Sequence, residues 1–343
     1  MAETKIGNVT IGGVAPVAVQ SMLSVHSSDI AGNVQQAIAL EKAGCEIVRV
    51  AIPNTEALAL IPAIKDAVGM PLVADIHFDY RLALESVAAG VDKIRINPGN
   101  IGGEDRVKAV VDACRVKNIP VRVGVNSGSV EKDLLAKHGG ATAEALSESA
   151  FRHTEMIERC GYDNIVISVK SSDIQMMIAA YRIIHSRCEY PLHLGVTEAG
   201  TYRMGVIKSA IGIGSLLCDG IGDTIRVSLT GDPVKEIGAA WDILKAAGLR
   251  KKGVEIISCP TCGRTEIDLL SIVEEIEQKT AHIEKPITVA VMGCVVNGPG
   301  EAVGADIGIA GGRDEAILFK KGRIERRICG DIAAQLLDEI EKM

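Results

Sequence analysis

Four cysteines fall in the last quarter of this 343-residue chain: Cys259, Cys262, Cys294 and Cys329. Cys259-Pro-Thr-Cys262 is a CxxC pair closing an apolar run, a pattern shared by redox pairs, zinc ribbons and iron–sulfur sites. Cys294 lies in Met-Gly-Cys-Val-Val-Asn-Gly-Pro-Gly-Glu, where Gly298, Pro299 and Gly300 would let the backbone turn closely around a bound group. No second CxxC or HxxxH follows, so a closed four-ligand zinc site would need Cys329. Cys259, Cys262, Cys294 and Glu301 form a different donor set. Three thiolates suit three irons of a [4Fe–4S] cube, and a carboxylate is a hard, displaceable ligand for the fourth. The other cysteines, Cys45, Cys114, Cys160, Cys188 and Cys218, sit singly in apolar segments and read as small buried hydrophobes in a reducing compartment.

A second constellation is cationic. Arg49 in EIVRVAI, Arg95 in KIRIN, Arg122 in VRVGV and Arg226 in TIRVSL lie inside otherwise apolar runs, and a fifth run ends on Lys170. Breaking a buried ion pair costs about 3–5 kcal/mol, so five unpaired buried cations are not tolerable. Asp75 and Glu198, at strand ends, are the available internal partners, and two acids cannot neutralise five cations. The pattern implies a pocket for a strongly anionic ligand. Fork-shaped guanidinium groups match phosphate oxygens, and a diphosphate fits better than a carboxylate.

The elements that must position these residues follow from the hydrophobic pattern. Eight short runs rich in Val and Ile, at 16–22, 46–52, 71–76, 93–97, 120–125, 164–170, 191–197 and 224–230, read as parallel strands buried on both faces. Helical spacing separates them at 31–43, 55–68, 81–89, 104–116, 171–186 and 233–247, with glycine stops at Gly44, Gly90 and Gly248. Eight strand-plus-helix units in about 250 residues predict an α/β chain built on a (β/α)₈ TIM-type barrel over 1–247, rather than an open doubly wound sheet. The glycine-bounded GLRKKG at 248–253 reads as a linker. Strands at 254–258, 287–292, 306–310, 316–319 and 323–327, with helices at 268–278 and 331–341, predict a smaller α+β domain over 254–343.

Composition excludes other classes. Lys+Arg 37 against Asp+Glu 44 gives a net charge of −7, which argues against a nucleic-acid backbone binder. Aromatic residues make up 3 % of the chain, too few for a base-stacking platform. No apolar run approaches the roughly 18 residues of a membrane span, and the first residues lack the pattern of a signal peptide. The expectation is a soluble, cytoplasmic protein with neither nucleic acid nor membrane as partner.

CPTCGR at 259–264 and MGCVVNGPGEA at 292–302 resemble the iron–sulfur domain of the bacterial 4-hydroxy-3-methylbut-2-enyl diphosphate synthases, the IspG/GcpE family in its two-domain form. VQSM, IVRVAIP, VADIHFD, KIRINPGN, VRVGVNSGS, HLGVTEAG and DGIGDTIRVSLTGDP are similar to the family's barrel motifs, in the family's order. The resemblance spans nearly the whole chain. It departs at Leu23-Ser24-Val25-His26-Ser27, where the family usually has a Thr-Asn-Thr-like run. It implies two-electron reductive opening of 2-C-methyl-D-erythritol 2,4-cyclodiphosphate, with loss of water, in the non-mevalonate isoprenoid route. It also implies one [4Fe–4S] cluster per chain on Cys259, Cys262 and Cys294. Glu301 matches the displaceable fourth ligand that assists proton transfer. Arg49, Arg95, Arg122, Lys170 and Arg226 match the diphosphate-binding positions, and Gln20, Asp75, Asn126, Glu198 and Ser228 match polar residues of the pocket.

The rival reading is a non-redox, phosphate-binding barrel transferase of the pterin-synthase kind with a zinc-stabilised C-terminal module. Reduced flavodoxin or ferredoxin is the expected electron donor, and Lys320, Lys321, Arg323, Arg326 and Arg327 offer a basic hairpin to such acidic proteins unless they are simply solvated. The helix at 233–247 carries the chain roughly 20 Å away from the barrel mouth. A six-residue linker reaches about 20 Å at most, so a chain cannot easily close its own cysteine domain over its own arginines. A homodimer with active sites shared between chains is therefore expected.

Overall fold

The computed structural model describes residues 2–296, 300, 302–313 and 315–343, and the chain separates into two compact units, one ending at Arg250 and the other beginning at Lys251. In the first unit, β1 (Thr4–Ile6) and β2 (Val9–Ile11) form a short antiparallel hairpin. Eight parallel strands follow: β3 (Ala18–Met22), β4 (Ile47–Ala51), β5 (Leu72–Asp75), β6 (Lys93–Ile96), β7 (Val121–Asn126), β8 (Ile165–Lys170), β9 (His193–Leu194) and β10 (Thr224–Ile225). Their order is β8-β7-β6-β5-β4-β3-β10-β9, and a parallel bridge from Ile167 to Leu192 brings β8 beside the start of β9. This is the expected eight-stranded TIM-type barrel, with each predicted run contributing one strand.

Local chemistry sets where the outer helices begin. Asp29, Asp79, Asp173 and Asp232 each follow a barrel strand and accept a backbone N–H of the helix they cap. Gly44 and Gly90 close two helices in the left-handed region, at φ 95° and 98°. The helices Ala143–Glu158 and Tyr202–Cys218 were not among those anticipated. The second contains Gly205, Gly212 and Gly214, which weigh against helix locally. Gly205 and Gly212 pack against Leu229 and Met177, where a side chain would collide.

The hairpin also lay beyond the sequence reading. Ile6 and Ile11 are fully buried against Ala18, Ile47, Val73 and Val166, the inward-facing residues at the base of the barrel. They seal the end opposite the strand C-termini. Cys45 and Cys114 are buried as expected, and burial pushes both thiols up to about 12. Cys160 and Cys188 are half-buried. Cys218, expected inside, is exposed at the end of its helix.

The second unit is an α+β sandwich. Strands β11 (Val254–Ser258), β12 (Ile287–Met292), β13 (Ile307–Gly312), β14 (Glu315–Lys320) and β15 (Arg323–Cys329) lie side by side in chain order. The first three are parallel, and the last two run antiparallel to their neighbours. Helices Leu269–Thr280 and Ile332–Glu341 pack on one face through Leu269, Ile272, Ile276, Leu336, Leu337 and Ile340.

If the hairpin is the barrel's seal, Ile11→Ala should lower unfolding stability by about 3 kcal/mol in a urea titration. A loss under about 1 kcal/mol would mean that the base is closed by other residues.

Candidate active site

At the mouth of the barrel a cavity of about 170 Å³ is lined by Arg49, Arg95, Arg122, Lys170 and Arg226, with Asn126, Ser129, Ser168, Thr197, His77, Asn97 and Asn100 completing it. All five sequence-predicted cations thus reach one cavity. Strand register explains the convergence, since Arg49, Arg95, Arg122 and Lys170 sit on adjacent strands β4, β6, β7 and β8 with β5 between the first two. Space for their heads comes from glycine. A Cβ on Gly124 would strike the Arg95 guanidinium, whose Nη2 donates to the Gly124 carbonyl at 3.1 Å. A Cβ on Gly195 would lie 3.2 Å from Lys170 Nζ.

The anticipated acid partners divide. Asp75 is fully buried and takes Arg49 at 2.5 Å and Arg95 at 3.1 Å, with His77 Nε2 at 3.4 Å. Burial opposes its ionisation, but Arg49, Arg95 and His77 together hold the carboxyl well below the usual range. Glu198 makes no such pair. It is exposed in the loop after β9 and adopts a left-handed backbone, φ 53°. The buried acid on that side is Glu236, from the helix Pro233–Ala246, which accepts Ser21 Oγ at 3.1 Å and the Leu229 amide at 2.9 Å and stands 4.0 Å from Arg226 Nε. A lone acid on a helix carries no local mark of this role.

Two acids do not balance the site. Arg122 is completely buried with Nε and Nη1 unpaired, and Lys170 has no acid within ion-pair distance among the described residues. Burial first, and neighbouring guanidinium groups second, press Arg122 and Lys170 well below their ordinary values and bring Arg226 down to about 10. Such a site is short of negative charge and gains by binding an anion. Of the remaining predicted residues, Asn126 lines the cavity, Gln20 is buried, and Ser228 is half-buried in the segment after β10 and does not line the cavity. Lys93, fully buried at the start of β6, was missed because a lysine opening a strand reads as solvated.

In the second unit Cys259 follows β11 and Cys294 follows β12, an adjacent parallel pair in which Ser258 lies opposite Val291. The two cysteines therefore leave the same end of the sheet on neighbouring strands. The Gly293 amide, next to Cys294, donates to Cys259 Sγ at 3.3 Å. Cys262 is exposed. Its thiol is lowered by a backbone hydrogen bond at Arg264, with the Arg264 charge assisting. Glu301, Gly298 and Pro299 lie outside the described residues. Among the described residues no three His, Cys, Asp or Glu side chains are gathered closely enough to hold a metal ion. The donor chemistry and the shared strand end nonetheless suit a soft-ligand cluster.

Cys329 does not fit a zinc site with them. It ends β15 at the opposite edge of the sheet, four strand spacings or about 19 Å from β11. The basic hairpin is largely exposed to solvent. Its turn, at Lys321 and Gly322, lies at the end of the sheet away from the cysteines, because β14 runs back from that end. Lys320 and Arg326 pair with Glu339, and Arg327 with Glu315.

A TIM-type barrel with a cationic mouth, followed by a small domain presenting cysteines at one sheet end, defines a class of two-domain anion-binding enzymes. The family models described as GcpE TIM-barrel domain and GcpE protein C-terminal domain match residues 1–241 and 255–342, and the chain belongs to the GcpE family. It is 56 % identical over 342 residues to a protein of Caldanaerobacter subterraneus named 4-hydroxy-3-methylbut-2-en-1-yl diphosphate synthase (flavodoxin), covering 99 % of this chain and 96 % of that one. A protein of the same name from Ruminiclostridium cellulolyticum is also 56 % identical, covering 99 % and 97 %. Among solved structures, the dihydropteroate synthase of Yersinia pestis superposes with a TM-score of 0.53 at 14 % identity, over 73 % of this chain and all of that one. At that identity the likeness concerns the fold alone.

Replacing Asp75 by Asn should remove about 4 kcal/mol of stability, because Arg49 and Arg95 lose their acid while remaining buried. Urea unfolding measures this, and added sulfate should restore part of the loss. Because the folded-state carboxyl is depressed, its contribution is present at any pH above about 4 and fades only as pH falls below that. Equal stability of the variant and the parent at pH 7 would refute the assignment.

Proposed function

We infer that this chain is the enzyme its relatives are named for, an oxidoreductase that reduces 2-C-methyl-D-erythritol 2,4-cyclodiphosphate to 4-hydroxy-3-methylbut-2-en-1-yl diphosphate in the non-mevalonate isoprenoid route. The observation that carries this reading is the convergence of five cations, four buried and Arg226 half-buried, short of acid partners, on one cavity of a chain related over its full length to these synthases. Arg49, Arg95, Arg122, Lys170 and Arg226 grip the diphosphate. They offset the charge that builds on it when the ring opens, while Asn126 orients the carbon skeleton. Asp75 and Gln20 support these groups from within the barrel, and Glu198 and Ser228, which do not line the cavity, would reach substrate only from the loops after β9 and β10.

The domains divide at 1–247 and 254–343, joined by 248–253. Cys259, Cys262 and Cys294, with Glu301, would hold one [4Fe–4S] cluster per chain. Such a cluster supplies low-potential electrons and a Lewis-acid iron. Glu301 would be the displaceable donor of that set, with a carboxyl able to move a proton. Reduced flavodoxin is the donor, as in the relatives' name, with ferredoxin the second candidate. Among the described residues no helix is long and apolar enough to cross a membrane, in keeping with a cytoplasmic location.

The active form is a homodimer whose sites are shared between chains. Arg250 supports this reading: it donates to the Val17 carbonyl at 2.8 Å and pairs with Glu46 at 2.9 Å, beside the N-terminal ends of β3 and β4. The chain thus leaves the barrel at the end opposite the cavity. Phe78, exposed three residues beyond β5, and Val295 and Val296, exposed just after Cys294, offer apolar surfaces for closure between protomers.

Glu301→Ala should keep its iron and its visible absorbance while losing most turnover, since the thiolates hold the cluster and the carboxyl serves the chemistry. A near-normal kcat would remove Glu301 from the mechanism. Co-expression of Arg122→Ala with Cys294→Ser tests the dimer. Each variant alone should be inactive, and random pairing should restore roughly a quarter of normal activity if sites are shared across the two-fold. Absence of recovery in the presence of mixed dimers would mean that each chain completes its own site.

A further inference from the structure

Beneath the cavity the barrel contains a second polar layer. Lys93, the first residue of β6, is fully buried and points inward on the same side of the strand as Arg95, two residues on. Its hydrogen-bond partner is Gln20 Oε1 of β3, at 3.5 Å. The charged groups that act on it are Arg49 of β4 and Arg122 of β7. His193 of β9 feels Lys93 in turn. It is also fully buried, with Nδ1 on Thr224 Oγ1 at 2.8 Å and Nε2 unpaired. From β5 the facing acid is Asp75, already shared by Arg49 and Arg95. Gln20 Nε2 and two Arg122 nitrogens are likewise buried without partners. Among the described residues an ammonium group at Lys93 has no acid paired with it, and it is shut off from bulk solvent.

We propose that Lys93 is a sixth member of the anion site, one that gains its positive charge only when an anion occupies the cavity above it. This rests on the anion-pocket reading. Full burial first, and the charges of Arg122 and Arg49 second, hold Lys93 well below its ordinary value, and with Gln20 rather than an acid against it the fold disfavours the charged amine. A polyvalent anion on Arg49 and Arg122 offsets the potential that keeps the proton away. Binding then draws a proton from solution onto Nζ, and anion affinity rises as pH falls. The fold gains twice from this arrangement. It avoids storing a bare buried cation in the free state, and it grips a highly charged ligand more strongly than a singly charged one. In the free chain the same depressed lysine favours folding as pH rises toward about 10.5, where the unfolded chain ceases to hold the extra proton.

The test uses full-length protein prepared anaerobically, so that whatever its cysteines hold is retained. Sulfate is the probe, because it is fully ionised across the range and any proton taken up belongs to the protein. In an unbuffered pH-stat titration near pH 8, with sodium chloride at equal ionic strength as blank, the parent should consume acid as sulfate binds. Lys93→Met, an apolar replacement of similar length, should bind sulfate while consuming measurably less acid, and its affinity should vary less with pH. Lys93→Gln serves if the methionine variant does not fold. Binding without proton uptake in the parent overturns the proposal, as does equal uptake in the parent and a folded Lys93 variant. Failure of both sulfate and inorganic pyrophosphate to bind the parent would instead sink the anion-pocket reading itself.

Discussion

Asp75 meets Arg49 and Arg95 inside a barrel wall where positive charge is otherwise in excess, and the organisation of the first unit depends on that contact. A barrel of this size fills its interior with side-chain layers, and these are ordinarily apolar. Here only the base layer is apolar, closed from below by Ile6 and Ile11 of the hairpin. Above it come Lys93, Arg122 and His193, and then the guanidinium and ammonium groups of the mouth. One shared carboxylate, assisted at the far side by Glu236, keeps such an interior foldable without saturating it. Fully paired cations would be stable and inert. Under-paired cations are less stable, and they are primed for a ligand that brings the missing negative charge.

The second unit solves a different problem. Parallel strands place their C-terminal ends together, and β11 and β12 use that rule to bring Cys259 and the Cys294 segment to one edge from positions 35 residues apart in sequence. The Gly293 amide on Cys259 ties the two loops, and the helices cover the opposite face of the sheet from Ala290, Met292 and Phe319. Glu339 and Glu315 already engage three of the five cations of the basic hairpin, Lys320, Arg326 and Arg327.

Much of this was legible in the chain. The eight Val- and Ile-rich runs announced the barrel strands because strands buried on both faces need continuous apolar sequence, and an arginine inside such a run stands out against it. The cysteine motif was equally plain, since ligand type and glycine spacing are local properties. The weaker predictions concerned features whose meaning is not local. The hairpin is a pair of three-residue strands with no periodicity to detect. The helix Tyr202–Cys218 tolerates its glycines only because Leu229 and Met177 fill the space beside them.

Residue types and spacing thus determined the barrel, the five cations and the thiols, because each is written in a run or motif a few residues long. Tertiary structure alone decided which acid serves them. Asp75 and Glu198 looked equivalent at strand ends, yet one turns into the barrel and the other out to solvent, while Glu236 arrives from a helix. It also decided that Lys93 is interior and that Cys329 stands across the sheet from the other three thiols. Pairing and burial are properties of strands brought together from distant parts of the chain, and no local pattern records them.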